Sequence, residues 1–176
     1  MSEESAEISD AAARPFTANA IHLVRTAQQI NVSLSQMADQ KASILMGATF
    51  VVFTISVGQA RNGSFSLALV VLAFFSFVSA MLAVFAVLPS VKGKAAANPN
   101  LLFFGVFTQM SETEFADAVL DELRADETVF RTMLRDIYQN GQVLQHKKYK
   151  YLGRAYRTFL LGLVLTFLSF VGQHWL

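Results

Sequence analysis

The feature that most constrains this chain of 176 residues is a set of three uncharged hydrophobic segments. Residues 42–60 and 62–91 carry no charged side chain, and His174 is the only titratable residue in 158–176. A bilayer core of ~30 Å takes ~20 apolar residues as helix, and lipid offers no hydrogen-bond partner to a backbone that is not helical. The sequence therefore predicts an all-α membrane protein with three transmembrane helices, at about 42–60, 65–88 and 158–176.

Composition argues against several classes of protein. The formal net charge is +1, which disfavours a nucleic-acid-binding surface. The chain has no cysteine, so disulfides and thiolate metal sites are excluded. Its three histidines stand in separate contexts, and no P-loop, dinucleotide-binding or nucleophile-elbow motif occurs. We expect no enzymatic activity, no metal site and no cofactor.

Lysine and arginine predict the orientation of the spans. Only Arg61 lies between the first two spans, whereas ten basic residues lie between the second and third. The positive-inside rule therefore puts the N-terminus and residues 89–157 in the cytoplasm, and the 60–64 turn and the C-terminus outside. Residues 1–15 are acidic and alanine-rich without a cleavable signal. We expect a disordered leader there, and a single membrane domain over 16–176.

Apolar residues in alternating steps of four and three predict helical extensions of spans one and three. Before span one the stripe consists of Phe16, Ala20, Leu23, Ala27, Ile30, Leu34 and Met37. Before span three it consists of Phe130, Leu134, Ile137, Gly141, Leu144, Lys148, Tyr151 and Ala155. We expect one helix from about 127 through span three, packed as a parallel, coiled-coil-like pair on the extension of span one. Packing and transmission of a signal along this pair are compatible roles.

The cytoplasmic segment between these elements contains a shorter helix. Residues 89–100 read as a loop, and the apolar run 101–107 is too short to span. Ser111 and Glu114 form a capping box that begins a helix, and its inner face is predicted to consist of Phe115, Val119, Leu120 and Leu123.

Several polar positions admit both a packing role and a ligand-binding role. Asp39 and Lys41 precede span one, where Lys41 is either a snorkelling anchor or, with Asp39, part of a ligand pocket. Asn100 and Phe104 belong to a loop that either packs or binds a nucleotide base. Lys148 lies in the most basic stretch, which contacts either anionic lipid or a ligand phosphate.

Gln139, Asn140 and Gly141 form a further position of this kind, where a weak helix former meets a glycine. These residues either allow close approach of a neighbouring helix or turn amide side chains towards a ligand.

The order of these motifs suggests a family. The motifs are Asp39–Ala42, Asn100–Gly105, Asp136–Asn140 and His146–Leu152, followed by Ala155 and Gly162 in the last span. The arrangement over about residues 20–176 resembles the transmembrane effectors of Pycsar, the bacterial pyrimidine cyclase system of antiphage resistance. The resemblance implies that a partner cyclase makes cyclic UMP or cyclic CMP on infection. The effector then responds by impairing the bacterial inner membrane, which causes abortive infection.

The resemblance also directs the choice of ligand-binding candidates. The phosphate would need cationic or amide donors, for which we nominate Lys41, Asn100, Asn140 and Lys148, with Phe104 or Tyr138 stacking on the base. Small residues in the spans fit close helix association and a homo-oligomer in contact with membrane lipids. Two alternatives stay open: an effector of another nucleotide-messenger defence system, and a structural membrane tether without a ligand.

Overall fold

The structure, a computed structural model, describes residues 16–61, 66–89 and 99–175, and within these ranges it contains helices and turns but no strand. The helices are α1 Ala20–Arg61, α2 Leu67–Val87, α3 Phe104–Phe107, α4 Glu112–Glu122, α5 Asp126–Val143 and α6 Lys150–Trp175, with a π-helical segment, Leu144–Tyr149, between α5 and α6. The predicted all-α class is confirmed. The predicted leader 1–15, most of the 60–64 turn and the loop residues 90–98 lie outside the described residues.

Three helical stretches are long and apolar enough to cross a membrane: Ala20–Arg61, Leu67–Val87 and Asp126–Gln173. With 21 residues, α2 is about 32 Å long at ~1.5 Å per residue, which matches the hydrocarbon core. It ends at Val87, directly before Leu88 and Pro89. The third stretch is helical without a break from Asp126, as predicted, except that its hydrogen-bonding pattern changes to π between α5 and α6.

Contacts divide the described residues into two units. Of the described residues, the first unit contains 16–29 and 99–137. The second unit contains 30–61, 66–89 and 138–175.

The core of the second unit is built from small side chains. One cluster of buried residues comprises Ala38, Ala42, Ala86, Leu144 and Leu152, and a second comprises Leu45, Ala83 and Ala155. Large side chains face outward instead, such as Phe50, Phe74 and Phe167, each more than half exposed. Small residues inside and large apolar residues outside are typical of helices that pack closely in lipid, where burying a large apolar side chain yields no hydrophobic gain.

Two contacts show how closely α2 and α6 pack. Ser79 Oγ donates a hydrogen bond of 2.8 Å to the carbonyl oxygen of Ala155. A Cβ atom added at Gly162 would lie 2.3 Å from Cβ of Phe75. Because of this clash, only glycine at position 162 permits the observed separation of the two helices.

The hydroxyl of Ser76 on α2 is fully buried and has no hydrogen-bond partner among the described residues.

The predicted stripe on α1 is wrong for part of its register. Leu23 and Ile30 are exposed, whereas Val24 and Ala38 are buried and Leu34 packs against the core. In the second unit close helix approach favours small residues, so there the buried face of α1 follows Ala38 and Ala42 rather than Ile30 and Met37, which are exposed. The coiled-coil-like pairing of the two long helices stays a prediction.

The stripe of the last long helix is closer to the prediction. Leu144 and Ala155 are buried, Ile137 and Gly141 are half-buried, and only Leu134 of its apolar members is exposed at 52%. Leu144, in the π-helical segment, and Leu152, in α6, belong to the same buried cluster.

The first unit has a smaller core in which aromatic rings meet. Phe16 packs edge-on against Phe130 at 4.7 Å between centroids, and Phe107 lies 5.2 Å from Phe115. The predicted capping box is present, because Ser111 Oγ accepts from the backbone N–H of Glu114 and the Glu114 carboxylate accepts from the backbone N–H of Ser111.

The inner face predicted for α4 is only partly correct. Phe115 and Val119 are half-buried, but Leu120 and Leu123 are about 60% exposed. Among the described residues, the contact of this 11-residue helix with the rest of its unit is therefore narrower than predicted and includes Phe115 and Val119.

Candidate functional site

An ion pair joins α1 to the π-helical segment in the second unit. Lys148 Nζ lies 2.6 Å from Asp39 Oδ2 and donates a second hydrogen bond of 2.7 Å to Ser35 Oγ. The lysine side chain is 18% exposed and the aspartate side chain 39%. Because Ser35 and Asp39 are one helical turn apart, they present their oxygens on the same face of α1. Two of the nominated residues, Asp39 and Lys148, are therefore in direct contact.

Asp39 is not fully satisfied in this arrangement. Its Oδ1 atom is buried and has no hydrogen-bond partner among the described residues. A buried polar atom without a partner costs free energy, roughly 1–3 kcal/mol in proteins generally. The carboxylate is thus held by one of its two oxygens.

The preceding lysine contacts a different helix. Lys147 Nζ donates a hydrogen bond of 2.6 Å to the carbonyl oxygen of Leu88, the C-cap residue of α2. A cation at this end complements the partial negative charge of a helix C-terminus. Successive lysines in the π-helical segment therefore reach two helices, since Lys148 bonds α1 and Lys147 bonds the end of α2. π-Helical turns are rare and occur frequently at functional sites.

The other candidates in the second unit are solvent-facing. Lys41 is exposed, and its carbonyl oxygen accepts a 3.4 Å hydrogen bond from the Tyr156 hydroxyl. Tyr138 is 68% exposed and Asn140 is also exposed, on the last two turns of α5. A ring and an amide on an accessible helix surface are able to meet a planar base. Gly141 approaches α1, since a Cβ there would lie 3.8 Å from the side-chain oxygen of Asn31.

A buried polar cluster organises the first unit. The carboxylate of Asp136 accepts hydrogen bonds from Asn100 Nδ2 at 3.1 Å and from Gln28 Nε2 at 3.2 Å. Asn100 is 3% exposed, and its Oδ1 accepts from the backbone N–H of Leu102 at 3.0 Å. The Asn100 amide thus stabilises the turn at Leu102 through its oxygen and connects this turn to α5 through its nitrogen. This arrangement matches the packing role considered for Asn100.

Sequence reasoning nominated neither Asp136 nor Gln28 of this cluster, although Asp136 lies in one of the motifs on which the resemblance rests. Asp136 is 8% exposed, and buried carboxylates are uncommon unless hydrogen-bonded or paired. The signal that points to it is an acidic residue directly beside the apolar stripe of α5. The neighbouring Arg135 donates to the carbonyl oxygen of Pro99 at 3.3 Å. Phe104, by contrast, is 50% exposed, and its ring lies 5.0 Å from that of Phe103 at an angle of 53°.

The chemistry available at these positions is that of ion pairing and hydrogen bonding. No group of three or more His, Cys, Asp or Glu side chains that would suit a metal ion occurs within the described residues. What the second unit offers is a lysine ammonium held by an anionic oxygen, and what the first offers is a carboxylate held by two amides.

Comparison with known proteins adds the family. No curated protein and no solved structure matches the chain. The family model of the Pycsar effector protein domain matches residues 22–173, which include all the helices described above except the first two residues of α1 and the last two of α6. With most of its length matched, the chain belongs to the Pycsar effector protein family.

Proposed function

We propose that this protein is an antiphage effector that senses a cyclic pyrimidine nucleotide, cyclic UMP or cyclic CMP, and then impairs the bacterial inner membrane. The observation that carries the proposal is the match to the Pycsar effector domain over residues 22–173, combined with three helices long enough to cross a bilayer. A partner pyrimidine cyclase supplies the messenger, and membrane damage aborts the infection. The effector itself acts without catalysis and without a cofactor.

The proposed topology follows the distribution of basic residues. The N-terminus and residues 89–157 lie in the cytoplasm, where a cyclase product is made, and the C-terminus lies outside. The messenger is therefore expected to meet the surfaces that carry Lys41, Tyr138, Asn140 and Lys148. A homo-oligomer in contact with lipid is the proposed active form, because three helices from one chain enclose only a small core.

The proposed ligand contacts divide by chemistry. Lys148 and Lys41 are cations for the cyclic phosphate, which binds most strongly through charge-assisted hydrogen bonds. The Asn140 amide is a donor and acceptor for a base edge, and the exposed ring of Tyr138 supplies a stacking surface. In the first unit, Phe104 offers a half-exposed ring, whereas Asn100 keeps its packing role because its amide is buried and bonded within the protein.

The proposal is tested with the full chain in dye-loaded liposomes. Micromolar cyclic UMP or cyclic CMP is expected to release dye, whereas cyclic AMP is not. Lys148→Glu should reduce the ligand-induced release, as should Asn140→Ala. Gln142→Ala, at a neighbouring exposed amide, serves as the matched control. Absence of both binding and release with every cyclic pyrimidine would contradict the messenger assignment.

The alternatives make different predictions in the same assay. An effector of another nucleotide-messenger system would respond to a different member of a panel of cyclic mono- and dinucleotides. A structural tether would bind none of them and leave the liposomes intact.

A further inference from the structure

The ion pair between Asp39 and Lys148 is the feature of this molecule that best suits a switch. It joins α1, a candidate membrane span, to the π-helical segment that continues into the last span. Within the second unit, no other ion pair between helices is formed by the described residues, because the remaining pairs, Arg124–Asp121 and Arg131–Glu127, are local contacts of the first unit.

The contacts of Lys148 resemble those that an ammonium makes with a bound phosphate. An ammonium group has three N–H donors, and two of them go to Asp39 Oδ2 and Ser35 Oγ at 2.6 and 2.7 Å. A carboxylate and a phosphate both present anionic oxygens at such distances. A group that already holds an anion with a hydroxyl beside it has the chemistry of an anion site.

We propose that Asp39 occupies, in the resting protein, the position on Lys148 that the phosphate of an activating ligand takes, so that the Lys148–Asp39 pair is an autoinhibitory contact. This inference rests on the proposed function, which names the ligand as a cyclic nucleotide. The shared chemistry is that of a phosphate ester anion competing with an internal carboxylate.

The structure also indicates why displacement would move α1. Asp39 Oδ1 is already buried without a partner, so the carboxylate depends on Lys148 for its compensation. Removing one member of a partly buried pair leaves the other charge uncompensated, which is costly unless the group reaches water. The buried Oδ1 atom gains a hydrogen-bond partner from water only if α1 moves away from the π-helical segment.

The neighbouring π-helical segment lets this separation proceed without breaking the last helix. A π turn holds one residue more than an α turn and is able to convert by a shift of register. Because Lys147 bonds the C-cap carbonyl of α2, such a shift also changes the contact with the second span. Release of one side chain thus alters the packing of all three candidate spans at their common end.

The experiment measures ligand-independent dye release from liposomes that contain the full chain. Asp39→Asn keeps the shape but removes the charge, and it should raise basal release roughly fivefold or more, the lower range of ordinary coupling between sites. Asp39→Glu keeps the charge but moves the carboxylate by one methylene, and it should raise basal release less than Asp39→Asn does. Ser35→Ala removes one of the two bonds to Lys148 without a charge change and should give a smaller rise.

Controls separate this effect from general loss of structure. Glu127→Gln removes an acidic member of an exposed pair in the first unit and should leave basal release unchanged. Melting of each variant in detergent reports whether it is folded. A folded Asp39→Asn that is as silent as wild type would overturn the proposal.

The failure of this contact and of the proposed function are distinguishable. If wild type responds to cyclic UMP or cyclic CMP but Asp39→Asn is silent at rest, the autoinhibitory contact is wrong and the messenger stands. If Asp39→Asn leaks but wild type responds to no cyclic pyrimidine, the contact stands and the messenger is wrong.

Discussion

Gly162 is the position where one added methyl group should test the packing of α2 against α6 most directly. Its Cβ would lie 2.3 Å from Cβ of Phe75 and 2.9 Å from Cγ. Carbon atoms in favourable contact are ~3.5–4.0 Å apart, so the two helices would need to separate by more than about 1 Å. Because Cβ of Phe75 is fixed to the backbone, no change of rotamer removes the clash. Overpacking of this kind costs about 1–3 kcal/mol.

The higher helix propensity of alanine offsets part of this cost. A control substitution on the same helix isolates the cost of the clash, because it has the same gain in propensity. Replacing glycine by alanine within a helix gains about 1 kcal/mol. Gly153 lies on the same helix, and a Cβ there has nothing within 4 Å. Gly153→Ala therefore receives the propensity gain without the clash. The free energy of unfolding of Gly162→Ala should fall below that of Gly153→Ala by about 1–3 kcal/mol.

Denaturant titration in mixed micelles measures this difference, with near-ultraviolet circular dichroism of the aromatic side chains as the signal. Separation of α2 and α6 should also weaken the bond from Ser79 to the Ala155 carbonyl, now 2.8 Å long. Equal unfolding free energies for the two alanine variants would refute the close approach of Phe75 to Gly162.

Three further predictions concern orientation, the α5 face and the capping box. A single cysteine at Asn62 should react with an impermeant thiol reagent on intact spheroplasts and one at Ala97 should not; the reverse labelling would overturn the topology. Ile137→Asp puts a charge at a half-buried position and should lower the free energy of unfolding by about 1–3 kcal/mol or abolish ligand-induced dye release. A variant with wild-type stability and wild-type release would mean that this face is solvent-exposed. Ser111→Ala should lower stability by about 1 kcal/mol in thermal melts, and an unchanged midpoint would show that the cap contributes nothing. A hydrogen bond from the Ser111 backbone N–H, followed by one from its hydroxyl, lowers the pKa of Glu114 from its ordinary value. The capping contribution is therefore complete above the ordinary pKa of glutamate and is lost as the pH falls through the lowered pKa, a dependence that melts of Glu114→Gln should no longer show.

The sequence by itself determined the class of this protein and the positions of its helices. Uninterrupted apolar runs are local in the chain, and such runs are helical in lipid, so the three candidate spans follow without knowledge of any contact. The capping box at Ser111 and the end of α2 before Pro89 are likewise local, because each depends on residues within one turn. The order of the motifs also identified the family that the chain belongs to.

Only the tertiary structure decided which faces of these helices meet. The heptad pattern selects Ile30 and Met37, but close approach in the second unit buries Ala38 instead and leaves both of them exposed. The pairing of Lys148 with Asp39, 109 residues away, and of Asp136 with Gln28 and Asn100 cannot be read from spacing, since no local rule links residues so far apart. The physical reason is that a hydrogen-bond partner is chosen by the register between helices, and that register is set by packing of the whole unit rather than by the sequence around either residue.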